Sequence, residues 1–519
     1  MSSDAAHTAM TAAFGGIAIV TTSASLADAQ EAIPGLPDHL VVTHVLRSEY
    51  FDDPADLARL PAVSRAMRDL VAETGLRFEE FDEDDAVELG CLSALYRLQR
   101  VGRLSRLELL CGAAAGSGQL EELKVLRADD TPWDRSTCWK AARSGNLEVL
   151  QWARTNGCPW DEETCAFAAQ GGHLEVLQWA RANGCPWSGR TCSNAAKGGH
   201  LEVLQWARAN GCPWGHSYSW DVGRECEVDT CSSAAQGGHL EVLQWAHTNG
   251  CPWDEKTCVE AAAYGHLELL QWMRVNGCLW DKRTCESAAK GGQLKVLQWL
   301  HANDCPWDAK TCFYAAVDGH LEVLQWLRAS GCPWNSLTCE SAAEGGHLDV
   351  LQWARENGCP WDMYTCSGAA KGGHLGVLHW ARANGCPWDG YTCSGAAECG
   401  HLDVLQWARA NGCPWDERTC WGAAEGGHLG VLHWARANGC PWDGYTCSGA
   451  AECGHLDVLQ WARANGCPWD ERTCWGAAEG GHLEMLQWLC ANGCPWDEWT
   501  RKSAATMGYV ETAQSASDD

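Results

Sequence analysis

The chain has 519 residues, 46% hydrophobic and 20% charged, and its 67 acidic side chains outnumber 38 basic ones to give a net charge of -29. That surplus disfavours nucleic acid and anionic membrane as partners, since both need a basic face. No run approaches the ~20 apolar residues of a membrane-spanning helix, and the length exceeds what one compact core organises.

Residues 1–33 are rich in Ala, Ser and Thr. The apolar run Phe14–Val20 followed by Ala27-Asp28-Ala29 has the outline of a signal peptide, but Asp4 and the lack of any Lys or Arg there argue against one. A disordered leader is expected. From 34 to 75, Leu40, Val41, Val45 and Leu46, then Leu57, Leu60, Val63, Met67 and Leu70, recur at helical spacing across a break at Asp52-Asp53-Pro54. With Leu36-Pro37, Asp56-Leu57 and Val63-Ser64-Arg65 followed by Arg68, this segment resembles an F-box, a short helical motif that docks on a Skp1-type adaptor of a ubiquitin ligase. Met67 stands where that family usually has Trp, and a few extra residues fall around Ser48–Phe51. The resemblance implies that Leu36, Pro37, Leu40, Leu46, Leu57, Leu60 and Val63 contact the adaptor. The alternative is an ordinary helical cap, which needs an apolar face anyway. Residues 76–109 read as an acidic linker and then capping helices, around Leu92–Leu109, that seal the stack described next.

From 110 to 511 a 27-residue unit repeats, and Thr-Cys pairs open thirteen full copies between Thr137 and Thr473. In the copy that opens at Thr164, Asp161 sits at an N-cap position with Glu162 and Glu163 in the first turn, which predicts a helix over Glu162–Gln170. Gly171-Gly172 ends it. A second helix carries Leu174, Val176, Leu177, Trp179 and Ala180, and stops at Asn183-Gly184 before Pro186. Ala168 and Ala169 leave room for helices to approach to ~8–10 Å. One such pair has too little core to fold, whereas a row of them does not.

Thr-Cys-x-x-Ala-Ala, then Gly-His-Leu-Glu-Val-Leu and an Asn-Gly turn, resembles the ankyrin repeat. The ankyrin period is about 33 residues, and the residues missing here fall where that family's protruding β-turn finger would be. Cys also replaces the buried Leu of the family's Thr-Pro-Leu-His. The resemblance implies an all-α solenoid of stacked antiparallel helix pairs, with the outer face of each first helix on the concave side. Protein ligands are the partners it implies there. Between Trp214 and Thr230 the connection is twelve residues longer than elsewhere and includes His216, Tyr218, Trp220, Arg224 and Cys226. It reads as a specificity loop or as a tolerated surface insertion, since loop extension costs little.

The 32 cysteines lack the short paired spacing of zinc sites. Asn146 and Gln293 take the place of His173, and Thr131 that of Cys185, all poor zinc ligands. Equivalent cysteines of neighbouring repeats would stand one helix spacing apart, beyond the ~7 Å limit for a disulfide. They are read as small buried apolar residues, with no metal and no cofactor. The His173 column is read as hydrogen-bonding at helix entry, and the Trp179 and Trp187 columns as packing between repeats.

Against this constant frame, the two positions after Thr-Cys vary: Trp139-Lys140, Ala166-Phe167, Ser193-Asn194, Val259-Glu260, Phe313-Tyr314, Glu340-Ser341, Trp421-Gly422. A fixed scaffold with a variable face suits protein recognition. The candidate contact residues are Trp139, Lys140, Phe167, Asn194, Glu260, Phe313, Tyr314, Trp421 and Trp475, with Trp220 from the insertion. Residues 392–429 recur identically at 446–483, a duplication that changes reach and valency but would wreck a single catalytic pocket. No phosphate-cradling glycine loop, nucleophile elbow or paired carboxylates stand outside the repeat frame, so no enzyme is expected. The resulting expectation is a monomeric protein-binding repeat protein, cytoplasmic or alternatively nuclear, that serves as the substrate-recognition subunit of an SCF-type ubiquitin ligase. The alternative is an ankyrin-like scaffold with no ubiquitin role. Residues 512–519 read as a disordered tail.

Overall fold

Asp161 adopts an extended backbone, and its carboxylate accepts a hydrogen bond from the Glu163 N–H at 3.1 Å, so the chain turns there into a helix over Glu162–Gln170. After a two-residue turn, a second helix runs over Leu174–Ala182. The same pair recurs from Arg135–Arg143 and Leu147–Thr155 to Glu471–Glu479 and Leu483–Ala491, capped at equivalent positions by Asp134, Ser188, Asp308, Asn335 and Asp470. The computed structural model describes residues 83–88, 91–215, 229–498 and 500–502, together with the backbone of three short strands. Those strands, Ala12–Phe14, Ile17–Val20 and Arg77–Glu80, form an antiparallel sheet in that order. The rest is all-α, as expected. The F-box-like residues Leu36, Pro37, Leu40, Leu46, Leu57, Leu60 and Val63, the insertion's Trp220 and the tail 512–519 lie outside the described residues.

Each repeat buries the same set: Cys165, Ala168 and Ala169 from the first helix, Val176, Leu177 and Ala180 from the second, and Cys185 from the connection. Full burial of a Leu177-type side chain contributes about 1.5–3 kcal/mol. The glycine and histidine columns form one device. Gly172 lies at φ +77°, and a Cβ there would meet the His200 ring of the following repeat at 2.5 Å. Nε2 of that ring pairs with the Gln170 carbonyl at 3.0 Å, satisfying an orphan acceptor at the end of a first helix. His173, His320, His347 and His482 do the same to the repeat before them, whereas none of these side chains caps its own helix. The histidine is thus a bond between repeats.

Both tryptophan columns pack between repeats, as expected. Trp160 meets Trp179 edge-on at 5.9 Å, and Trp187 meets Trp206 likewise. An arginine completes the cluster: Arg181 lies 4.1 Å over Trp187 while donating to the Cys185 carbonyl. Where histidine replaces it, at His247 and His301, the ring stacks on Trp253 and Trp307.

The chain divides into two compact units, Met1–Trp253 and Asp254–Asp519. In the first, the helix Leu92–Arg100 buries Leu92, Ala94, Leu95 and Leu98, and first helices pack in series from Glu108–Gly116 to Thr230–Gly237. The insertion leaves this series unbroken: Trp214 meets Trp245 at 6.0 Å, and Gly215 N–H donates to Thr230 Oγ1 at 3.0 Å. In the second unit, first helices pack in series from Glu255–Ala263 to Glu471–Glu479. There Thr500 is buried and bonded to Asp497, while Arg501 and Lys502 are exposed.

Candidate interaction surface

The faces of the first helices that do not pack on second helices carry the variable residues. In the first compact unit, Trp139 stacks on Phe167 at 4.6 Å, and Arg143 lies 5.9 Å over the Phe167 ring. Lys140 is turned along Gly112, where a Cβ would meet its Cδ at 3.3 Å. Its ammonium is enclosed without a hydrogen bond, and burial lowers its pKa. Asn194 donates from Nδ2 to the Ala166 carbonyl at 3.2 Å, which ties neighbouring first helices together. Trp139 and Phe167 therefore form one half-buried aromatic pair, Asn194 serves the stack, and Lys140 is enclosed against Gly112.

The second compact unit has a longer surface. Glu260 is half-buried, and Phe313 and Tyr314 meet edge-on at 5.1 Å. Farther along, the residue just before each Thr-Cys, a position that sequence reasoning passed over, holds Tyr364, Tyr391, Arg418, Tyr445 and Arg472. Tyr364 and Tyr391 lie 6.3 Å apart, Arg418 sits 4.4 Å over Tyr391, and Arg472 sits 4.4 Å over Tyr445. Asp416 and Asp470 hold those guanidiniums at 2.6 Å. Trp421 joins Tyr445 at 5.7 Å, and Trp475 is 39% exposed. The signal was available: three of the five residues at that position are tyrosines, and a helix's first turn is poorly placed to bury them.

Glu398, Glu425, Glu452 and Glu479 follow on the same helices, one per repeat. Burial first, then repulsion from Glu398 and Glu452, raises the pKa of Glu425. In these repeats Gly368, Gly395, Gly422, Gly449 and Gly476 are buried. A Cβ on Gly422 would stand 3.0 Å from the Ser394 carbonyl, so glycine lets adjacent first helices close up. The ladder ends at a cleft of about 250 Å³ lined by Glu471, Arg472, Trp475 and Asp497. Planar rings, held guanidiniums and a row of carboxylates are equipped to bind polypeptide, and nothing in this set resembles a nucleophile with its base.

The cysteines of the two repeated columns are buried as expected, whereas Cys91, Cys399 and Cys490 are half-buried and Cys453 is exposed; the partnership of the two columns within a repeat was missed. Cys258 and Cys278 bring their sulfurs to 3.0 Å. Hydrogen bonding to the second thiol, then burial, pushes Cys165, Cys258 and Cys474 far up in pKa. The second thiol donates to the backbone in turn, as Cys185 does to the Asp161 carbonyl at 3.3 Å. Such thiols act as small apolar residues with a weak donor.

A family model described as "Ankyrin repeats (many copies)" matches residues 312–355. That segment carries the ankyrin-repeat pattern. It spans parts of two of the 27-residue repeats. No curated protein matches. Among solved structures, the human ASB11 ankyrin repeat domain is 16% identical, with 38% of this chain and 98% of that one covered at a TM-score of 0.30. The pentatricopeptide repeat protein PPR10 from maize is 15% identical, with 91% and 88% covered at a TM-score of 0.27. Likeness at that level adds nothing to the fold described above. Ankyrin repeats indicate a protein-interaction scaffold. No described helix is long and apolar enough to cross a membrane.

Proposed function

We propose that the chain is a protein-binding scaffold whose receptor surface is the first-helix face of its second compact unit. The observation that carries this reading is the exposed series Tyr364, Tyr391, Tyr445 and Trp475, interleaved with Arg418 and Arg472, on a frame that is otherwise nearly invariant. Aromatic and arginine side chains supply most hot spots of protein interfaces, and a frame that needed only to stack would not require them here. The test is cross-linking capture from an extract by the full chain and by a Tyr391→Ser, Trp421→Ser, Tyr445→Ser, Trp475→Ser variant of unchanged helix content. Partners captured equally by both would remove the reading.

A second, finer reading is favoured by Leu36-Pro37, Asp56-Leu57 and Val63-Ser64-Arg65. In it, residues 34–75 hold a Skp1-type adaptor, and the array presents a bound protein for ubiquitin transfer. Binding of the full chain to a purified Skp1-type adaptor, abolished by Leu57→Asp and by Val63→Asp, is the expected result. No binding by the wild-type chain would leave a scaffold without a ubiquitin role.

A further inference from the structure

One carboxylate on the first-helix face has no structural purpose. Glu286 is only 7% exposed, and its Oε1 is enclosed without a hydrogen bond. It lines a cleft of about 280 Å³ with Val259, Arg283, Ser287, Lys290 and Tyr314. The frame does not require an acid there: Glu340, half-buried rather than buried, shares the slot, but other repeats fill it with Val259, Phe313, Ser367 and Trp421. A buried carboxylate without a partner is destabilising, so its presence asks for a ligand.

The surrounding charges narrow the choice. Arg283 is held by Asp281 at 2.8 Å and by Glu255 at 3.1 Å, and Lys282 is held by Asp308 at 2.8 Å. Lys290 is exposed at the rim, one helical turn beyond Glu286. Burial, then the Asp308 carboxylate, raises the Glu286 pKa, while Lys282 and Lys310 act on it only from a distance. An anion would be repelled from the floor of the cleft, and a neutral donor would leave the charge uncompensated. A cation satisfies both. A guanidinium suits the cleft better than an ammonium, since it is weakly hydrated, forks towards a carboxylate and lies flat on a ring such as Tyr314.

We propose that the Glu286 cleft receives an arginine side chain of the bound protein, an inference that rests on the protein-binding reading above. It is tested on the full chain by saturation-transfer NMR with the tripeptide N-acetyl-Gly-Arg-Gly-amide, alongside its Lys and Glu counterparts. The Arg peptide is expected to bind in the millimolar range and to weaken about tenfold in Glu286→Gln, the loss of one charge-assisted hydrogen bond. It should tighten in Lys290→Met, which removes a competing cation at an exposed position, and stay unchanged in Glu175→Gln, an exposed acid on a second helix of the first compact unit. Absence of transfer to the Arg peptide, or transfer that Glu286→Gln leaves unaltered, would overturn the proposal. Equal binding of the Lys peptide would overturn the choice of guanidinium, and weaker Arg binding in Lys290→Met would overturn the direction of the charge argument. None of these variants touches the Tyr391–Trp475 surface, so partner capture there can stand while the cleft falls.

Discussion

The contact between a left-handed glycine and the next repeat's histidine can be separated into its parts by two alanine substitutions. Gly184 and Gly172 both have positive φ, +82° and +77°. A Cβ on Gly184 meets nothing within 4 Å, whereas one on Gly172 would lie 2.5 Å from the His200 ring. Gly184→Ala therefore adds only backbone strain, about 1–2 kcal/mol. Gly172→Ala adds the same strain and also forces the ring away from the Gln170 carbonyl, a further ~1–3 kcal/mol by analogy with overpacking. Repeat arrays need not unfold in one step, so the assay is amide hydrogen exchange resolved by peptide, with urea unfolding as a check on the total. Gly172→Ala should deprotect the repeats on both sides of the contact, Gly184→Ala mainly its own. Adding His200→Ala to Gly172→Ala should recover part of the loss, a coupling that Gly184→Ala will lack. Equal destabilisation by the two glycine substitutions would refute the account of the glycine-histidine column.

Glu286→Gln should stabilise the second compact unit at neutral pH. The folded-state pKa of Glu286 is raised, so its ionisation opposes folding above that pKa, and the penalty fades as pH falls towards the ordinary value of 4.5. Melting curves of the two proteins should therefore converge on acidification, and a gap that widens would contradict the sign. Arg181→Met should cost about 1–2 kcal/mol, through loss of the cation-π contact with Trp187 and the bond to the Cys185 carbonyl; Arg181→Lys should recover only part, because an ammonium cannot stack. With an aromatic disulfide reagent on the native protein, the exposed Cys453 should react before any buried thiol, and Cys165 and Cys185 only after unfolding. Rapid native labelling of the paired cysteines would show that the repeats open far more readily than their packing implies.

The helix pair was legible because its signals are local. Asp161, Gly171-Gly172 and Asn183-Gly184 act within a few residues of themselves, and the observed helices end where they dictate. What escaped was every feature that depends on which atom a side chain reaches in the next repeat. His173 was rightly read as a hydrogen-bonding residue, yet its acceptor lies 30 residues back in Arg143. Spacing excluded bridges between equivalent cysteines, but it was silent on Cys258 and Cys278, 20 residues apart and joined only because one repeat folds back on itself.

The surface shows the same division. Trp421 and Trp475 stood out as aromatics in a variable slot, but Tyr391 and Tyr445 drew no notice, although each carries an arginine of the following repeat on its ring. Glu286 was the least legible of all. In the sequence it is one acid among 67, and only its enclosure in the cleft it shares with Tyr314 distinguishes it. A repeat protein writes its scaffold redundantly, so thirteen copies correct one another. Its specificity rests on single departures, and each gains meaning only from the neighbour against which the stack sets it.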